Sequence, residues 1–195
     1  YPLILIIVAI LFVIAGIILL VLKKSRLPSF LKLCSVALAI AAVVMPWWGL
    51  YGSASSASRS INAYLTTQTI VTQTTIGTST ELELANIPAE FSLFLLAVFS
   101  LVGVSCGIII GSILLRKRKK SSFVLTILGI VFLVCAVAIF TYGFSQLSSV
   151  GLGSLQGSGT YTLLQPQGGE SIDLSASWGL STGAYLTIVA ILLIV

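Results

Sequence analysis

Few side chains in this sequence could do chemistry, and none stands where chemistry would need it. There is no histidine, one methionine, and three cysteines, Cys34, Cys106 and Cys135, that form no CxxC pair. Zinc, copper and haem sites draw mostly on His, Cys or Met ligands, so no metal or redox cofactor is expected. Each cysteine falls inside an apolar run, where it serves as a small hydrophobe. Serine is plentiful, but there is no histidine to act as a base and no lysine set beside a serine in a cleft-like context. Nucleophilic hydrolysis therefore has no machinery. The repeat Gly103, Gly107, Gly111 lacks the Lys-Ser/Thr that completes a phosphate loop. No catalytic residue is expected, and the chain does not read as an enzyme.

The elements carrying these residues are apolar. Hydrophobic residues make up 57% of the chain and charged residues 8%, where a soluble domain carries nearer a quarter charged. This is the composition of an integral membrane protein. A net charge of +5 would also suit a nucleic-acid binder. However, nine of the ten basic residues lie in two short loops beside apolar runs: Lys23, Lys24, Arg26 and Lys32, then Arg116, Lys117, Arg118, Lys119 and Lys120. Positive-inside orientation accounts for both clusters. Membrane lipid, not nucleic acid, is the expected partner.

The chain is organised around residues 91–120, where a long uncharged run meets the five consecutive basic residues. A run of this length spans the hydrocarbon core as a helix, and the basic cluster marks its cytoplasmic end. Gly103, Gly107 and Gly111 recur every four residues, so they share one helix face and let another helix approach closely. The candidate partners are Ser35, Ala39 and Ala42 of the preceding span, or a second subunit. The alternative neighbour is lipid.

Applied along the chain, this reading predicts an all-α transmembrane protein with five visible spans and a small extracellular β-sheet. The spans are expected near residues 2–22, 33–50, 91–115, 123–144 and from 178 onward. Residues 1–30 form an N-terminal span and a cytoplasmic turn around Pro28. Residues 31–195 form a four-span unit with outer loops at 52–90 and 148–177. The visible N-terminus is then outside, in the plasma membrane. All five acidic residues (Glu81, Glu83, Glu90, Glu170 and Asp173) fall on the outer side. The sequence opens without Met in an apolar run and stops in another, which reads as a window on a longer chain or a removed leader. Residues 4–14 and 185–195 echo one another, the pattern expected if four-span units repeat in tandem.

The outer loops carry strand signals. Residues 61–76 are rich in Thr, Ile, Val and Tyr, Gly77 and Thr78 can turn the chain, and residues 80–87 alternate polar and apolar. In the second loop, residues 160–165 and 171–175 flank Pro166, Gln167, Gly168 and Gly169, a turn composition. Two hairpins sharing one sheet are expected, with Trp47, Trp48 and Tyr51 as interfacial anchors at its base and Trp178 as the anchor of the last span.

The plan from residue 31 onward, with Trp47-Trp48-Gly49-Leu50-Tyr51 at the first outer boundary and Ser177-Trp178-Gly179 at the last, resembles the claudin and peripheral-myelin-protein group of tetraspan proteins. That group carries a W-GLW motif in its first outer loop. The resemblance implies a left-handed four-helix bundle under an outer sheet, in a protein that assembles laterally or serves as an auxiliary subunit. The outer-loop cysteine pair of that family has no counterpart here, and the first span is additional.

No span carries a charged residue in its core by this reading, which argues against an ion-coupled transporter. The expected function is that of a structural or accessory membrane subunit, acting through helix packing and an outer β-rich head. It would meet other membrane subunits or copies of itself. Two alternatives stand: an accessory subunit of a respiratory or oxidising complex, and a transporter or channel subunit with a polar, uncharged pathway.

Overall fold

The computed structural model describes residues 27–86, 89–147, 155–163 and 171–194. The expected first span and the basic residues Lys23, Lys24 and Arg26 lie outside them. In chain order the elements are α1 (Leu27–Val44), β1 (Pro46–Ser53), β2 (Ala57–Tyr64), β3 (Thr69–Ile76), β4 (Ser79–Asn86), α2 (Ala89–Leu114), α3 (Lys119–Leu147), β5 (Gly157–Leu163), β6 (Ile172–Leu180) and α4 (Thr182–Leu192). Three helices, α1, α2 and α3, are long and apolar enough to cross a bilayer. α4 is equally apolar but covers 11 residues, short of the roughly 20 a span needs.

Five spans over a small sheet is therefore corrected. Among the described residues there are four helices, and the sheet is a major part of the fold, with six antiparallel strands in the order β4-β3-β2-β1-β6-β5. The span expected at residues 33–50 ends at Val44, and after Met45 the chain enters the strand β1. Pro46 lacks the N–H that would continue the helix. The aromatic residues after it find partners on both sides, β2 across one edge of β1 and β6 across the other. At the other end of α1, Pro28 does not make a turn. It sits in the first helical turn, where its missing N–H costs nothing, and the helix takes in Lys32.

The two segments expected to form hairpins do contribute to one sheet, but with more strand than anticipated. Residues 61–76 are not one strand. The chain turns between Tyr64 and Thr69, with Gln68 at φ 49°. β3 and β4 are joined by Gly77 and Thr78, with Gly77 at φ 58°, the positive φ that tight hairpin turns require. β5 and β6 pair from Gly157↔Trp178 to Leu163↔Ile172.

The two central strands extend two of the helices. Met45 alone separates α1 from β1, and Ser181 alone separates β6 from α4. Because β1 and β6 pair, α1 and α4 are held side by side. The Ser181 N–H donates to the Trp47 carbonyl at 2.9 Å, and the Ser35 hydroxyl reaches the Ala190 carbonyl at 2.7 Å. α2 and α3 form the second pair, joined by a turn of four residues. The main core runs unbroken from the helices into the sheet, through Val98, Val102, Ile109, Leu133, Phe140, Trp47, Trp48 and Leu50.

Candidate functional site

The two ends of the helices differ in chemistry. At the sheet end, the residues expected to be interfacial anchors meet the bundle. A register shift between Pro46 and Trp48 re-aims the strand, and both tryptophans are buried. Trp47 is 0% exposed: its indole N–H donates to the Ala42 carbonyl at 2.8 Å, and its ring meets Phe140 edge-on at 5.1 Å. Trp48 donates to the Leu155 carbonyl at 3.1 Å and lies 5.6 Å from the Phe144 ring. These two rings are core, fitted around α3. Gly183, in the first turn of α4, explains how Trp47 is accommodated. A Cβ there would overlap the indole and stand 2.7 Å from the Ala42 carbonyl oxygen. Tyr51 is 56% exposed on the far face of β1. Trp178 is half-buried on β6, opposite Leu50 and Gly157, rather than at the start of a helix. Beside it an open groove of about 910 Å³, with no charged side chain in its lining, runs along Gly49, Tyr51, Asn62, Gln156 and Tyr185.

The glycine face of α2 is open. A Cβ at Gly103 or Gly107 would meet nothing within 4 Å, and one at Gly111 would only graze Leu125 at 3.9 Å. An intramolecular contact with Ser35, Ala39 and Ala42 is thus corrected. The buried stripe of α2 is Leu95, Val98, Val102, Ser105, Ile109 and Ser112. At about 100° per residue, the three glycines fall on the opposite side of the helix. The close approach between α2 and α3 is made elsewhere. The Ser105 hydroxyl donates to the Gly129 carbonyl at 2.7 Å, and a Cβ on Gly129 would stand 2.6 Å from Ile109. Ser35, Ala39 and Ala42 are buried as well, and Ser35 bonds to α4.

At the end remote from the sheet, two helices bring hydroxyls around a cation from a third. Lys32 of α1 reaches across to α2 and α3. Its ammonium donates to Ser112 Oγ at 3.2 Å and Thr126 Oγ1 at 2.5 Å. The hydroxyls are themselves oriented. Ser112 donates to the Ile109 carbonyl at 2.8 Å, Thr126 to the Ser122 carbonyl at 2.7 Å, and Ser122 to the Ser112 carbonyl at 2.7 Å. Beside this cluster the chain turns from α2 into α3. Arg116, Lys117, Arg118, Lys119 and Lys120 are all exposed there. Sequence reading placed Lys32 in a turn and so missed its partners. The available signal was Pro28, had it been taken as the opening of a helix, together with hydroxyl residues flanking the next basic turn.

The three cysteines lie on three different helices as free thiols. Among the described residues, no three His, Cys, Asp or Glu side chains gather in a way that could hold a metal ion. Compared with known protein families and with curated proteins, the chain matches no family model and no curated protein.

Proposed function

We propose that this chain is an integral membrane protein with a structural or accessory role and no catalytic activity of its own. It would act through lateral contacts of its helices and through the sheet they carry. The observation that supports this reading most is how the polar groups of the helices are used. Ser35, Ser105, Ser112, Ser122, Thr126 and Thr187 each donate to a backbone carbonyl. Large apolar side chains such as Leu33, Ile40, Leu93, Phe99, Val124 and Val131 point outward. Hydrogen bonds tie helix to helix, and the outer surface suits lipid or another apolar helix. The open face at Gly103, Gly107 and Gly111 is the part of that surface best shaped for close approach.

The orientation we propose puts the basic turn in the cytoplasm and the sheet outside, because basic residues are enriched in cytoplasmic loops. The six strands carry one basic residue, Arg59, and three acidic ones, Glu81, Glu83 and Asp173. The likeness to the claudin and peripheral-myelin-protein group belongs to this proposal as an architecture, a sheet drawn from both connecting segments above apolar helices. No paracellular function is carried with it.

Copurification of the native protein tests the role. A stoichiometric larger partner, or an assembly of copies, is the expected result; a lone chain with a turnover of its own would end the proposal. Orientation is tested with Thr80→Cys and Lys117→Cys in a background lacking Cys34, Cys106 and Cys135. An impermeant thiol reagent added to intact cells should label the first and not the second.

A further inference from the structure

Among the described residues, the hydroxyl cluster at the basic end leaves one charge unanswered. An ammonium group has three N–H donors. Among the described residues, Lys32 gives its hydrogen bonds to Ser112 Oγ and Thr126 Oγ1. Both oxygens are neutral, and each has already committed its proton to a backbone carbonyl. They present lone pairs to the lysine and bring no negative charge. The described acidic residues are at the other end of the helices: Glu81 and Glu83 on β4, Asp173 on β6, and Glu90 in the first turn of α2.

Among the described residues, the other charged side chains at this end are positive. The five basic residues of the α2–α3 turn stand exposed beside the cluster. α3 begins at this end and α2 ends there, so the partial charges of those two helix ends offset one another. Lys119 and Lys120 occupy the first turn of α3, where the helix dipole opposes them. A lysine that merely snorkelled would send its ammonium out toward water; Lys32 turns across to two neighbouring helices instead. Six cationic side chains at the edge of an apolar bundle, with no carboxylate among the described residues at that end, suit an anion from outside the chain.

We propose that this end of the bundle binds the phosphate of an anionic phospholipid. Lys32 is the inner ligand, and Arg116, Lys117, Arg118, Lys119 and Lys120 are the outer ones. The chemistry recognised is a phosphate oxyanion; a bilayer leaflet supplies one at the depth where apolar helix gives way to basic turn. Basic pockets between membrane helices are a recurrent form of such sites. The inference rests on the membrane reading above.

The chain in an uncharged maltoside detergent is titrated with phosphatidylglycerol, with phosphatidylcholine and with inorganic phosphate, and thermal unfolding is followed. Phosphatidylglycerol should raise the melting temperature saturably, while the other two leave it unchanged. Lys32→Gln should unfold cooperatively without lipid, yet require about tenfold or more phosphatidylglycerol for the same shift. Lys32→Arg should restore most of the response. An equal response in Lys32→Gln and the parent chain, or equal shifts from the two lipids, overturns the proposal. A shift from inorganic phosphate matching that from phosphatidylglycerol overturns the lipid assignment and leaves free phosphate as the ligand. If Lys32→Gln does not fold, native mass spectrometry of the parent chain in a mixture of the two lipids decides: retained phosphatidylglycerol supports the site, and no preference overturns it. Failure of the membrane reading itself would look different, as release of the chain from membranes by alkaline extraction alone.

Discussion

The sheet end and the basic end of the same helices solve the problem of buried polarity differently. Where the helices meet the sheet the chain supplies both sides of the main interactions, although further out on β2 Arg59 Nε is buried without a hydrogen-bond partner among the described residues. The Trp47 and Trp48 indoles have backbone carbonyls as acceptors, the β1 and β6 backbones pair with one another, and Phe140 and Phe144 stack at 4.6 Å behind the tryptophans. At the basic end charge is not balanced among the described residues: Lys32 donates to two neutral hydroxyls. Hydrogen-bond satisfaction and charge balance are separate requirements. A fold can meet the first internally and leave the second to its surroundings. The sheet end should therefore be intrinsically stable and insensitive to lipid, and the basic end the reverse.

The largest effect should come from breaking the sheet end. Trp47→Ala removes a fully buried ring from the junction of α1, α3, α4 and the sheet, and large aromatic-to-alanine changes in cores cost about 3–5 kcal/mol. Gly183→Val attacks the same junction from the other side, driving a side chain into the indole and the Ala42 carbonyl. Both should lower the unfolding temperature in detergent to the same extent with and without phosphatidylglycerol. A normal transition in Trp47→Ala would mean that the ring is not holding sheet and helices together.

A second pair of variants sharpens the comparison within α2 and α3. Gly129→Val forces a branched side chain against Ile109 and should cost about 1–3 kcal/mol by overpacking. Gly107→Leu enters open space and should leave the stability of a single chain within about 0.5 kcal/mol. If the open face meets another helix in the membrane, Gly107→Leu should instead reduce oligomer size or partner recovery. Unchanged stability together with unchanged assembly would show that this face lies against lipid.

The smallest effect is expected at the sheet edge. All eight residues of β4 are exposed, and Leu82 is 64% exposed. Leu82→Thr should stay within about 0.5 kcal/mol, because little apolar area leaves the core and threonine suits a strand. A loss above 1 kcal/mol, measured by urea unfolding in detergent, would mean that the edge is covered in the assembled protein.

How much was legible can be followed residue by residue. The length and hydropathy of α2 and α3 announced them, because crossing a bilayer demands one uninterrupted run of apolar residues. The composition of residues 61–76 and 80–87 announced strands there, and Gly77 marked the turn between them, but the break between Tyr64 and Thr69 was not announced. The glycine repeat was visible too, but its direction was not. Periodicity says which residues share a face, and only the packing of α2 on α3 shows that Val102, Ser105 and Ile109 face inward and the glycines outward.

What the sequence determined by itself was composition written as solvent preference: apolar runs, a basic turn, acids kept away from it, and β-branched segments between. Tertiary structure decided whatever depends on partners distant in the chain. Trp47 and Trp48 belong to a strand because β6, more than a hundred residues later, pairs with β1. Lys32 belongs to the bundle because Ser112 and Thr126, 80 and 94 residues away, offer it oxygen. Local propensity could not foresee either, since an unpaired extended backbone and a partly desolvated ammonium are each unfavourable until the distant partner arrives.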